Sequence, residues 1–96
     1  MNTDLFDVYS TLCVSTAHIP LDIALYMNDD PREQDNEAYA NLSFDLTSFG
    51  YRVWVGCENP PTELKPIIQV AKQLGCRWIE FDRDAEKYKA LPSWEW

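Results

Sequence analysis

The sequence predicts a single α+β domain over residues 1–96, with elements in the order strand, helix, strand, strand, helix, strand. In four short stretches apolar and polar residues alternate, while two intervening segments repeat apolar residues every three or four positions. The length of 96 residues suffices for one core. This βαββαβ order is that of ferredoxin-like domains, so we expect an antiparallel four-stranded sheet with two helices on one face.

The first strand and first helix are predicted between Tyr9 and Asn28. Residues 9–16 are rich in β-forming side chains and alternate, with Leu12 and Val14 directed to the same side. Pro20 suits the first turn of a helix whose apolar residues recur at helical spacing. The acidic sequence and proline that follow Asn28 should end this helix.

A hairpin is predicted next. Residues 42–47 alternate strictly, and residues 51–55 alternate again after Ser48-Phe49-Gly50. Two alternating runs around a short connection that contains glycine are typical of a hairpin. A helix remains an alternative for the first run, because Leu42, Leu46 and Phe49 also fit helical spacing.

The second helix and the last strand follow Pro60-Pro61. We expect Thr62 to cap the helix, Pro66 to lie in its first turn and Gly75 to follow its end. The last strand begins directly afterwards. The residues expected in the helix-covered core are Leu12, Val14, Val53, Val55, Ile79 and Phe81.

The opposite face of the sheet has no predicted helix over it. We expect it to carry Cys13, Arg52, Trp54, Trp78 and Glu80. Exposed tryptophan is costly, so something should cover this face. Either Pro92 turns the chain so that Trp94 or Trp96 covers it, or a second copy does; Arg52, Trp54 and Trp78 are therefore candidate residues of a secondary interaction face.

Charge is distributed unevenly along the chain. Residues 1–64 contain eleven acidic side chains and two basic ones, whereas residues 65–96 contain five acidic and six basic side chains. With a net charge of −8, the protein should repel nucleic acid and attract basic partners. The negative charge argues against nucleic-acid bases stacking on the aromatic residues of the sheet. The alternative explanation of the acidity is that it only keeps the protein soluble.

Cysteine content and hydropathy predict a protein that resides in a reducing compartment and does not span a membrane. Cys13, Cys57 and Cys76 fit neither a disulfide framework nor a zinc site, and we expect them to be mostly buried thiols. No apolar run is long enough to cross a bilayer, and the acidic start lacks the features of a signal peptide. The expectation is a cytoplasmic protein without cofactors.

The segment that most resembles a functional site is Ser15-Thr16-Ala17-His18, where the first strand turns into the helix. Such turns often carry function, and histidine titrates near neutral pH. The competing interpretation, which we favour, is that Ser15 and Thr16 satisfy backbone groups while His18 packs locally. A lone histidine lacks the partners of a triad or a metal site.

Two other groups of residues are weak candidates for a functional site. Cys57 could be a nucleophile with His18 as base, but in an antiparallel arrangement the two would lie at opposite ends of the sheet. Asp82, Asp84 and Glu86 do not match a calcium loop, and neighbouring basic residues neutralise them. We therefore expect neither an enzyme nor a metal site.

Four motifs resemble those of a family of small bacterial proteins known only as a domain of unknown function. They are the Ser15–Ile19 turn, the Phe49–Val55 strand, Leu74–Trp78 with Phe81–Asp84, and Leu91–Trp96. The chain departs from this pattern in its acidic 29–37 segment and in Ala85, where glycine is usual. The resemblance implies a plasmid, prophage or integrating-element context and no assigned activity.

The first functional hypothesis is an acidic inhibitor of the anti-CRISPR or anti-restriction kind. Carboxylates on such a DNA mimic would occupy a basic channel of a host complex, with no direct nucleic-acid or membrane contact. The alternative is an accessory module that dimerises through the open sheet face, so the chain is expected to be a monomer or a homodimer. The residues expected to bind the host complex are Asp22, Asp29, Asp30, Glu33, Asp35 and Glu37.

Overall fold

The computed structural model describes residues 8–28, 39 and 42–95. Within them the elements follow the predicted order, which confirms the α+β class. The strands are β1 (Ser10–Ser15), β2 (Phe44–Thr47), β3 (Gly50–Trp54) and β4 (Cys76–Asp82), and the helices are α1 (Leu21–Asn28) and α2 (Lys65–Gln73). Short 3-10 turns at Thr16–His18 and Thr62–Leu64 precede α1 and α2.

The sheet has the strand order β1-β4-β3-β2 and is mixed. β4 pairs in parallel with β1 and antiparallel with β3, which in turn pairs antiparallel with β2. The expectation of a wholly antiparallel sheet is therefore corrected. A ferredoxin-like sheet has β1 beside β3 at its centre, whereas here β4, the longest strand, lies between them.

The hairpin prediction is confirmed, and the helical alternative for its first strand is excluded. Phe44 pairs with Val53 and Thr47 with Gly50, so β2 and β3 form a regular antiparallel ladder. The amide of Phe49 donates a hydrogen bond of 3.2 Å to the Thr47 hydroxyl. This local bond helps to close the two-residue turn.

One apolar core lies between the sheet and the two helices. α1 contributes Ile23, Ala24 and Met27, and α2 contributes Ile67, Ile68 and Ala71. These side chains form one buried cluster with the inward residues of the strands, so both helices cover the same face. The predicted strand residues buried there are Val14, Val53, Val55, Ile79 and Phe81; Leu12 is only partly buried, because β1 is an edge strand.

The boundaries of α2 differ in one detail from the prediction. Thr62 lies within the 3-10 turn and makes no capping hydrogen bond there, so its expected capping role is wrong. Pro66 occupies the first turn as predicted. Gly75 follows the helix with φ +74°, a left-handed conformation that glycine adopts at low cost.

The helices in the described part of the chain are short, and none combines the length and apolar character that a membrane span requires.

Candidate functional site

The face of the sheet that carries no helix will be called the outer face; it comprises Cys13, Asp45, Arg52, Trp54, Trp78 and Glu80. The strand register sets Trp54 directly opposite Trp78 and Arg52 directly opposite Glu80. Because side chains alternate along a strand, these paired residues point away from the helices. The predicted membership of this face is confirmed.

Arg52 organises the centre of the outer face. Its guanidinium carbon lies 4.7 Å from the centroid of the Trp78 ring, and its Nη2 lies 3.2 Å from the Asp45 carboxylate. Both ionic side chains are exposed, so the ion pair itself adds little stability. Its effect is to hold the planar guanidinium against the ring, which gives the face a flat, partly cationic surface.

Trp94 does not cover the outer face in the way predicted. The Trp94 amide donates a 2.8 Å hydrogen bond to the carbonyl of Ala17, so this residue lies at the end of β1. Trp54 remains 41 % exposed. Trp96 lies outside the described residues. The prediction that Trp94 covers this face is therefore wrong, and in the described part of the chain Cys13, Arg52 and Trp54 on the outer face stay exposed.

Residues Ser15–His18 will be called the 15–18 turn, and residues 86–95 the tail. The Ser15 hydroxyl accepts a 3.0 Å hydrogen bond from the amide of Ala17, which caps the 3-10 turn. The Ser15 amide donates to the carbonyl of Glu86 at 3.0 Å. The tail is thus bound to the turn at its beginning, through Glu86, and near its end, through Trp94.

His18 forms hydrogen bonds to the middle of the tail. Its ring is 1 % exposed, and Nε2 lies 2.8 Å from the amide nitrogen of Tyr88. An amide can only donate, so Nε2 must accept and the neutral ring must carry its proton on Nδ1. Nδ1 then donates to the carbonyl of Pro92 at 2.8 Å. Both ring nitrogens are engaged, which supports the structural interpretation of this histidine.

The turn and the tail enclose a surface pocket of about 310 Å³. Ser15 and Thr16 are predicted from the sequence as part of a functional turn. The position of Lys87 and Glu95 beside them is not predicted, because the tail has no periodic pattern that indicates its path. The lining residues are Ser15, Thr16, Ala17, Lys87, Trp94 and Glu95.

The three cysteines are free, and two of them, Cys57 and Cys13, lie where the thiolate form is disfavoured. Burial raises the pKa of the Cys57 thiol, and nearby backbone hydrogen bonds and Lys72 offset this only in part. Partial desolvation, followed by the charges of Asp82 and Glu80, raises the pKa of Cys13. Cys13 is nevertheless exposed, which corrects the expectation of a mostly buried thiol.

The proposed pairing of Cys57 with His18 is disfavoured by the topology. His18 follows the C-terminal end of β1, and β3 runs in the opposite direction to β1 because β4 is parallel to β1 and antiparallel to β3. Cys57 follows the C-terminal end of β3, so it lies beyond the other end of the sheet. This geometry excludes His18 as the general base for the Cys57 thiol.

The acidic residues after β4 form a turn. Oδ1 of Asp82 accepts a 2.8 Å hydrogen bond from the amide of Asp84, as in an Asx turn. In the part of the chain that the structure describes, no group of three or more histidine, cysteine or acidic side chains is arranged to hold a metal ion.

The predicted acidic surface falls largely outside the described residues. Asp22 is exposed in the first turn of α1. The other five residues of this prediction, Asp29, Asp30, Glu33, Asp35 and Glu37, lie in the range that the structure does not describe.

Comparison with known proteins gives one match. No curated protein and no solved structure matches the chain. Residues 11–96 match the model of a family of unknown function, DUF5983, C-terminal domain. The match includes both helices, the tail and the four strands, apart from Ser10 at the start of β1. The chain therefore belongs to this DUF5983 C-terminal domain family.

Proposed function

We propose that this domain is a non-enzymatic interaction module that binds a second copy of itself through the outer face. The observation that carries the proposal is the cross-strand pair of Trp54, which is 41 % exposed, and Trp78, which is partly buried with Arg52 stacked on its ring. Tryptophan and arginine are enriched among the residues that dominate binding energy at protein interfaces. His18 already makes two hydrogen bonds, and the pKa values of the Cys13 and Cys57 thiols are raised, which favours a binding role over catalysis by these three residues.

The register of β3 and β4 makes the outer face self-complementary. A two-fold axis that runs along the strands, between β3 and β4, exchanges these strands between two facing copies. Each Trp54 then faces a Trp78 of the other copy, because the two residues are directly paired in each sheet. By the same operation each Arg52 faces a Glu80, so aromatic contacts and opposite charges coincide.

The size of the face indicates a weak dimer. Strands spaced about 4.8 Å apart and roughly 20 Å long give a four-stranded face of roughly 400 Å² in projection. Stable complexes bury about 800 Å² of accessible surface on each partner, so this face lies at or below the ordinary size. We therefore expect a concentration-dependent dimer, whose affinity depends on the central tryptophans.

Replacing Trp54 with alanine should abolish dimerisation and leave the fold intact. Trp54 is 41 % exposed and packs beside Gly56 on the face opposite the core, so its removal lowers the stability of the monomer without opening the core, whereas a dimer loses its Trp54–Trp78 contacts. Sedimentation equilibrium over a range of concentrations measures the effect. Leu74→Ala is the matched control, because Leu74 is 62 % exposed at the end of α2, away from the outer face.

A charge exchange tests the symmetry directly. Arg52→Glu sets like charges against each other across the proposed axis and should prevent association. Adding Glu80→Arg to this variant restores opposite charges at every facing pair and should recover the dimer. A wild-type protein that stays monomeric at all concentrations, or a dimer that is unaffected by Trp54→Ala, would overturn the proposal.

The uneven charge supports a second candidate function. Eleven acidic and two basic side chains in residues 1–64 favour binding to a basic surface of a host complex. In this candidate the protein is a DNA-mimicking inhibitor of the anti-CRISPR or anti-restriction type, carried by a phage or another mobile element. Its working residues are Asp22, Asp29, Asp30, Glu33, Asp35 and Glu37.

Reversing these acidic residues to lysine should abolish capture of a host complex from bacterial lysate and leave the circular dichroism spectrum unchanged. Affinity for a basic channel should also fall steeply as salt is raised, because salt screens the attraction between the two charged surfaces and reduces the free energy gained from each released counterion. Dimerisation should instead become stronger as salt is raised, since salt screens the repulsion between two copies that each carry a net charge of −8. Partner capture that survives the reversal at physiological salt would exclude the mimic.

A further inference from the structure

We propose that the pocket between the 15–18 turn and the tail binds a free α-amino acid with a cationic side chain, for which L-arginine is the representative. The pocket is separate from the outer face, so this inference stands independently of dimerisation. Its volume of about 310 Å³ accommodates one amino acid and lies at the lower end of the range of small-molecule pockets.

The floor of the pocket offers hydrogen-bond donors for a carboxylate. The Ser15 oxygen accepts from the Ala17 amide, which leaves the hydroxyl proton of Ser15 available to donate. Thr16 and Lys87 also line the pocket. In the proposed complex the Thr16 hydroxyl is a second donor and the Lys87 ammonium supplies the positive charge. A carboxylate that meets an ammonium and two hydroxyl groups receives charge-assisted hydrogen bonds, which are the stronger kind.

The other lining residues favour a cation. Glu95 and Trp94 both line the pocket. In the proposed complex the Glu95 carboxylate receives the α-ammonium group and the Trp94 ring receives the guanidinium. Guanidinium groups bind favourably over tryptophan rings. The protein carries a net charge of −8, so its field attracts a ligand with one net positive charge and disfavours a simple anion.

The pocket is held in shape before any ligand arrives. The tail is tied to the turn through Glu86, Tyr88, Pro92 and Trp94. Because His18 is buried and bonded to two of these residues, the Trp94 backbone and the hydroxyl groups cannot drift apart freely. Such preorganisation reduces the entropy lost on binding.

The test is titration of the ¹⁵N-labelled protein with L-arginine, followed by NMR. Saturable shifts of the Ala17 amide and the Trp94 indole, with a Kd below about 1 mM, are expected. Agmatine, which lacks the carboxylate, and N-acetyl-L-arginine, which lacks the ammonium, should each bind at least about tenfold more weakly, since each loses a charged contact.

Lys87→Gln should weaken L-arginine binding at least about tenfold, because the carboxylate loses its charged partner. Lys89→Gln is the matched control: the change is the same and lies in the same tail, but Lys89 does not line the pocket. Any of three results would overturn the proposal: the two variants bind L-arginine equally, the shifts are confined to residues outside the pocket, or L-arginine causes no saturable shifts.

Discussion

Replacing Gly50 with alanine is expected to destabilise the protein by about 3 kcal/mol and to lower its melting temperature by more than about 10 °C. Gly50 begins β3 and pairs with Asp82 of β4. A Cβ added at Gly50 would overlap the backbone carbonyl oxygen of Phe81 and would lie 3.1 Å from the methyl carbon of Thr16. Since a backbone carbonyl in a central strand cannot rotate away, the two strands would have to separate.

Gly75→Ala is the appropriate control for this experiment. Gly75 has φ +74°, but a Cβ there has no heavy atom within 4 Å. Its substitution therefore costs only the strain of the left-handed backbone, about 1 kcal/mol. Urea unfolding of both variants, followed by circular dichroism, gives the comparison. A loss of stability for Gly50→Ala no larger than that for Gly75→Ala would contradict the steric argument.

The role of Gly50 illustrates what alternation in a sequence can predict. The pattern around Ser48-Phe49-Gly50 was enough to predict the hairpin, and it assigned Trp54 and Trp78 to the same face correctly. Alternation reports which face a side chain takes, but it carries no information about which strand lies alongside or in which direction it runs. The overlap at Gly50 depends on β4 being its neighbour, so it follows only from the structure.

The candidate pocket shows a second limit of sequence reasoning. Ser15, Thr16 and His18 were predicted to form one turn, and they do. The partners of His18 are 70 and 74 residues away, since it bonds to Tyr88 and Pro92. Residues after β4 contain no helical or alternating pattern, and their backbone groups bond to a side chain and to loop carbonyls instead of a ladder. No local rule predicts such a path.

His18→Ala is expected to cost about 3 kcal/mol and to release the tail. The substitution removes a buried ring and leaves the Tyr88 amide and the Pro92 carbonyl without their partner. The Tyr88 ring, whose centroid lies 6.3 Å from that of His18 in a stacked arrangement, also loses its contact. Limited trypsin digestion measures release of the tail, because Lys87 and Lys89 are cleavage sites within it.

Two conservative variants separate the hydrogen bonds that His18 makes. The glutamine side chain reaches the position of Nε2, so His18→Gln should retain a bond to the Tyr88 amide; the shorter asparagine reaches that of Nδ1, so His18→Asn should retain the bond to Pro92. Each should lie between wild type and His18→Ala in stability and in protection of Lys87 and Lys89. Wild-type resistance to trypsin in His18→Ala would mean that the tail is held without the imidazole, and the structural role assigned to His18 would be wrong.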